Sequence, residues 1–245
     1  MYPRFGLVLN VTHGCNMRCT YCYAGSKRSE VMPEHIGRKA IDRAIASIEP
    51  GGTLDLGFFG GEPLLEAELI EKLIAYAGRQ VKAAGMNLAL TMTTNGTVTN
   101  PRAWSIMTLP AMSLSISCDG LPAIHDRHRR FTSGGGTSAK LLSTISMLQQ
   151  AGKQFRVVMV VRPDTVDSLP AGIEFLRRQG VRRIEPSLDV WTDWSEDDIA
   201  RLEKVVARCA QIWRACATAS GEGSTIPRIE GGGWPGPACC GQGDQ

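Results

Sequence analysis

Apolar, strand-like runs alternate with stretches of helical period six times along this 245-residue chain, and that alternation limits the fold more than any other feature. Leu7 to Val11 opens the series, and Ile36, Ala40, Ile41, Ala44, Ile45 and Ile48 follow at helical spacing. Leu54 to Phe59 precedes Leu65, Leu69, Ile70, Leu73, Ile74, Ala77 and Val81. Leu88 to Thr93 leads into an Asn95-Gly96 turn and a short helix near Arg102 to Met107. Met112 to Cys118 leads through a long loop to Leu141, Leu142, Ile145 and Leu148. Phe155 to Val161 precedes Leu169 to Arg178, and Ile184 to Val190 precedes a final helix whose start is marked by Ser195-Glu-Asp-Asp198. Six strand–helix units predict an α/β fold with a parallel sheet inside and helices outside. A closed eight-unit barrel needs more chain than this.

At 43% hydrophobic and 21% charged, the chain has the composition of a globular domain with one sizeable core. A formal charge of +3 gives no reason to expect nucleic acid as a partner. No run approaches the roughly 18 apolar residues of a membrane span, and the first residues lack the basic-then-apolar pattern of a signal peptide. Eight cysteines in a small secreted chain would suggest disulfides. Here three are clustered in a larger chain without an export signal, which predicts a reduced, cytoplasmic protein.

Those three, Cys15, Cys19 and Cys22, follow the first strand in the run Cys15-Asn-Met-Arg-Cys19-Thr-Tyr-Cys22. Such soft ligands suit zinc or an iron–sulfur cluster. Structural zinc takes four ligands, and the nearest further cysteine is Cys118. His13, two residues before Cys15, is awkwardly placed to be the fourth. A four-iron cluster held by three cysteines leaves one iron without a protein ligand.

The Cys-x3-Cys-x2-Cys spacing, with Tyr21 before the third cysteine, resembles the radical S-adenosylmethionine (SAM) superfamily. Gly60-Gly61-Glu62-Pro63, just past the second strand, resembles that family's Gly-Gly-Glu-Pro element, which receives the SAM ammonium. An ammonium offers only donors, so carbonyls and a carboxylate suit it, and glycines permit close approach. Gly-Gly-Glu-Pro also reads as a helix start, and both roles can hold together. Ser117-Cys118-Asp119-Gly120 followed by His125-Asp126 and Arg129 resembles the Ser-x-Asp-Gly…His-Asp-x-x-Arg pattern of peptide maturases and anaerobic sulfatase-maturing enzymes.

The resemblance implies a partial (β/α)6 TIM-like barrel with a [4Fe–4S] cluster on Cys15, Cys19 and Cys22 and SAM beside it at the C-terminal mouth of the strands. It implies SAM contacts from Tyr21 near the adenine, from Gly60, Gly61, Glu62 and Pro63, and from Ser117. The implied activity is reductive cleavage of SAM to a 5′-deoxyadenosyl radical that takes hydrogen from a peptide or protein, with a reductant such as flavodoxin or ferredoxin as partner. A glycyl-radical activase, a small-molecule tailoring enzyme and, in another class, a non-catalytic zinc or redox protein are the alternatives.

Other positions keep plainer readings. Cys118 stands where relatives carry an aliphatic residue and reads as a small buried hydrophobe. Cys209 and Cys216, seven apart, share one face of the last helix. Thr93 to Thr97 is either a turn or a substrate-facing element. Arg127 to Arg130 is either a solvated basic loop or the holder of a carboxylate. Lys140 lies near a basic position of some relatives, with Gly134 to Gly136 shifting the register. Residues 1–220 are expected to form the core domain. Residues 221–245, rich in Gly and Pro and ending in Cys239-Cys240-Gly241, form a tail that resembles the start of an auxiliary-cluster extension, absent or truncated here.

Overall fold

The computed structural model describes residues 1–25 and 27–219, the side chains of 216–219 excepted. Cys216, Cys239 and Cys240 as ligands or packing groups therefore lie outside the described residues, as does the 221–245 tail.

Six strands form one parallel sheet in the order β1-β3-β4-β5-β7-β8. They are β1 (Tyr2–Thr12), β3 (Ile48–Gly60), β4 (Asn87–Thr94), β5 (Met112–Ser117), β7 (Phe155–Val161) and β8 (Ile184–Leu188). Helices α1 (Glu34–Ala46), α2 (Ala67–Ala83), α3 (Pro101–Thr108), α5 (Ser138–Gln150), α6 (Leu169–Arg178) and α7 (Glu196–Ala219) complete the six alternating units. The strand order matches the chain order of these units, so each crossover adds its strand at the same growing edge. Three elements were not legible as such. The stretch after β5 contains α4 (Pro122–His128), and β2 (Met17–Cys19) pairs antiparallel with β6 (Arg129–Phe131) as a separate ribbon. Ile48, which continues the helical period of α1, instead opens β3 at the end of a tight connection.

Register explains how the two faces differ. Leu9, Phe58, Met92 and Leu114 line up across four strands, and Ile116, Val157 and Ile184 across three. All are buried, packed in one core with Ile70, Leu73 and Ala77 of α2, Leu141, Ile145 and Leu148 of α5, and Ile173 and Leu176 of α6. Each such side chain contributes about 1.5–3 kcal/mol on leaving water. The intervening positions, Gly57, Thr91 and Ser113, then Thr93, Ser115 and Arg156, form the opposite face. It is glycine- and hydroxyl-rich rather than apolar.

Candidate functional site

Past the end of β1 the chain turns through Gly14 and Cys15 into β2, so the three cysteines sit at the C-terminal mouth of the sheet. All three thiols are free and half-buried. Met17 N–H donates to Cys15 Sγ (3.4 Å), Lys27 Nζ to Cys22 Sγ (2.9 Å), and Cys22 N–H to the Cys19 carbonyl (3.2 Å). Burial pushes the Cys15 and Cys19 thiols above the ordinary range. Coordination to a metal is what would keep them as thiolates. Among the described residues no three His, Cys, Asp or Glu side chains converge as ligands of a single ion. Three soft thiols in one short run are a donor set that suits an iron–sulfur cluster, each thiolate on its own iron.

Gly60 and Gly61 end β3 against the chain that leads into Cys15. Gly61 N–H donates to the Thr12 carbonyl and Glu62 N–H to the Gly14 carbonyl, both at 2.9 Å. A Cβ on Gly60, where φ is +146°, would lie 2.3 Å from Thr12 O, and one on Gly61 would lie 2.1 Å from Gly14 O. Close backbone approach therefore requires glycine at both positions. Asn10, His13, Tyr23, Phe59 and both glycines border a cleft of about 380 Å³ here, a size found among small-molecule sites.

Glu62 is completely buried. Its carboxylate accepts from Thr94 Oγ1 (2.7 Å), Asn95 N–H (2.7 Å) and Leu64 N–H (3.1 Å), and it caps the single 3-10 turn Pro63–Glu66. Burial, outweighing those three hydrogen bonds, pushes its pKa up to about 7. The carboxylate thus braces β3 against the end of β4. Asn95 does two jobs. Its Oδ1 closes a turn onto Thr97 N–H (2.9 Å), and its Nδ2 reaches Asn16 Oδ1 (2.9 Å) beside Cys15.

A second network crosses the mouth. Tyr21 OH donates to Asp119 Oδ2 (2.5 Å), which also accepts from Arg129 Nε (2.9 Å), and Asp119 Oδ1 accepts from Val160 N–H (3.1 Å). Burial works to raise the Asp119 pKa, but the Arg129 guanidinium beside it holds the carboxylate below its ordinary value. The guanidiniums of Arg129 and Arg162 lie 5.2 and 5.5 Å from the Tyr21 ring centre, and Arg162 is ion-paired with Asp189. His125 is buried, and burial pushes its pKa down to about 4. The neutral ring accepts from Asp119 N–H at Nδ1 (3.2 Å) and so donates from Nε2 to Thr137 Oγ1 (2.9 Å).

The fold gathers Cys15, Cys19, Cys22, Tyr21, Gly60 to Pro63 and Asn95 at one mouth, with Ser117 half-buried at the end of β5. The basic run divides. Arg129 is buried and paired with Asp119, His128 is buried against Thr20 (2.7 Å), and Arg127 and Arg130 are on the surface. Lys140 Nζ is occupied by Thr99 Oγ1 (2.6 Å). Cys118 lies in the core, its thiol pushed up to about 12 by burial, and Cys209 is likewise buried. The sequence reading did not foresee Asn16, Arg162 or Asp189 at this mouth. Nor did it foresee the hydroxyl face, although alternation in Leu88-Ala-Leu-Thr-Met-Thr and Met112-Ser-Leu-Ser-Ile-Ser carries that signal.

Comparison with known proteins adds four findings. The model of the Radical SAM superfamily matches residues 9–176. A cysteine-type anaerobic sulfatase-maturating enzyme of Clostridium novyi is 25% identical over 197 residues, covering 76% of this chain and 52% of that protein. A GTP 3′,8-cyclase of Marinobacter nauticus is 32% identical over 187 residues, covering 73% and 53%. Among solved structures, anSMEcpe with bound AdoMet and a peptide superposes with a TM-score of 0.78 at 19% identity. That match covers 89% of this chain and 62% of the other, and it shows the fold. The chain spans about half to three fifths of the length of the curated relatives it matches.

Proposed function

This chain belongs to the radical SAM superfamily, enzymes whose cofactors are a [4Fe–4S] cluster and SAM, and from that premise we propose that it modifies a peptide or protein substrate. Cys15, Cys19 and Cys22 are the cluster ligands in this reading, with Tyr21, Gly60 to Pro63 and Ser117 around SAM. When bound, the cluster supplies the electron that cleaves SAM reductively, giving the 5′-deoxyadenosyl radical that removes hydrogen from a substrate C–H. The residues of the chain supply the rest. The Gly61 and Glu62 backbone amides seat the loop ahead of Cys15, the Glu62 carboxylate locks that seat to β4, and a serine hydroxyl at Ser117 can both donate to and accept from a ribose. The glycine- and hydroxyl-rich face, with Arg156 donating to Ser115 Oγ, gives the substrate a polar wall.

One observation carries the proposal: three free, half-buried thiols in one short run, those of Cys15 and Cys22 accepting from N–H donors, next to a Gly-Gly-Glu turn at the strand ends. The sulfatase-maturating relatives and the peptide in the superposed structure support a peptide substrate. The GTP 3′,8-cyclase relatives favour a second reading, a small-molecule substrate at the same mouth. In the first reading, residues 1–220 are the catalytic core, residues 221–245 a separate tail, and a flavodoxin- or ferredoxin-like reductant is the electron source in the cytoplasm. Among the described residues no helix is long and apolar enough to cross a membrane.

Anaerobic reconstitution tests the reading. About four iron per chain and SAM-dependent release of 5′-deoxyadenosine are expected. Stoichiometric zinc with no SAM cleavage would refute it. Deuterium transfer from a labelled peptide, compared with labelled GTP, separates the two substrates.

A further inference from the structure

Asp119 and Arg129 have no task in the cofactor seat described above, yet they form a buried ion pair in its wall. Arg129 is only 7% exposed. Its Nε–H is taken by Asp119, whereas its Nη groups make no hydrogen bond among the described residues. The residue is fixed from two sides. Thr137 Oγ1 donates to its carbonyl (2.7 Å) and accepts from His125, whose other nitrogen holds the Asp119 backbone. Arg129 is also the direct partner of Cys19 in the β2–β6 ribbon. Directly opposed residues of an antiparallel pair share a face, with Cβ atoms about 4.5–5.5 Å apart. A guanidinium with uncommitted donors is therefore held beside a cysteine read as a cluster ligand.

We propose that Arg129 is a positioning residue for the cluster, fixing the Cys19 strand and setting a permanent positive charge beside its thiolate so that the reduced, more anionic cluster is favoured. The proposal rests on the ligand assignment made above. Reduction adds one negative charge, and a nearby cation in partly dry surroundings stabilises that state more than it would in water. Asp119 limits the effect by pairing with the cation and sets its direction by holding the Nε edge.

The test is a potentiometric titration, followed by electron paramagnetic resonance, of the full chain reconstituted with iron and sulfide. Arg129→Lys keeps the charge and is expected to retain the iron and a midpoint near that of the parent. Arg129→Gln is expected to retain the iron but to show at least tenfold less reduced cluster at a fixed potential, about 59 mV for a one-electron couple. A Gln variant titrating with the parent overturns the proposal, as does a Lys variant that shifts as far as Gln. Should Arg129→Gln hold no iron, Asp119→Asn decides. It removes the compensating carboxylate and must raise the midpoint, so an unmoved or lowered midpoint overturns the proposal. A parent chain that binds no iron refutes the ligand assignment instead, a result distinct from normal iron with an unmoved midpoint.

Discussion

The two ends of the sheet are built differently. At one end β1 and β3 are long, 11 and 13 residues, and run in unbroken register from Arg4 to Asn10. The outer edge of β1 is covered near the mouth, where Met32 N–H bonds Val11 O, His13 N–H bonds Glu30 O, and Val31 bridges Thr12. At the other end β8 has five residues, four of them exposed. Leu188, Val190 and Trp191 stand in solvent there, Trp191 at 81%. The family match covers residues 9–176 and stops before β8. The closed end carries the cysteines and the Gly-Gly-Glu turn, and the open end lies beyond that match.

The largest expected contrast is in cofactor binding. Cys19→Ala at the closed end should abolish the cluster signal and SAM cleavage, while Cys209→Ala on α7 should leave both intact and cost at most about 1 kcal/mol of stability. Loss of iron in the second variant would erase the distinction between the ends. Next comes packing. Phe58→Ala, in the middle of the buried row, should cost about 3–5 kcal/mol in urea titrations. Trp191→Ala should fall within about 0.5 kcal/mol, and a larger loss would mean that the open end is covered in solution.

A smaller effect concerns pH. Glu62 carries a raised pKa of about 7, so the folded chain binds more protons than the unfolded one, and stability falls as pH rises from about 4.5 to 7. His125, lowered to about 4, acts in the opposite sense, with stability rising over nearly the same interval to its full value above about 6.5. Each shift corresponds to about 3 kcal/mol, so the chain without cofactor should show a nearly flat profile. Glu62→Gln should expose the upward slope and His125→Asn the downward one, both read from urea midpoints between pH 4.5 and 7. Parallel profiles in all three proteins would show that neither group is held as described. The smallest effect is expected at glycines. Gly61→Ala should cost about 1–3 kcal/mol because Gly14 O cannot give way, whereas Gly135→Ala, with open space around it, should cost almost nothing.

The six units were legible because period-two and period-3.6 apolar patterns report which face of each element is buried, and here every unit has one such face. The Cys15 to Cys22 run and Gly60 to Pro63 were legible because both are short local motifs. The ribbon of β2 and β6 was not. Each strand has only three residues, too few for any period, and they meet across more than a hundred positions of chain. The same distance hid the task of Arg129. The His125-Asp126-x-x-Arg129 pattern marked this arginine among its neighbours, but only the pairing with Cys19 and Asp119 shows what it touches. Glu62 shows a different limit. Its motif marked the position, but only the fold reveals that its oxygens are spent on Thr94, Asn95 and Leu64.

Register at the end of β5 has a chemical corollary. Ser117 pairs with Val158 on the hydroxyl face, and the next residue, Cys118, points into the helical layer and is 2% exposed. A thiol S–H gives up its hydrogen atom far more readily than an alcohol O–H. Side chains alternate along a strand, so a slip of one residue would exchange the two. In the proposed reading, where a carbon radical forms at this mouth, the pleat of β5 keeps that readily given hydrogen behind the wall, in the helical layer.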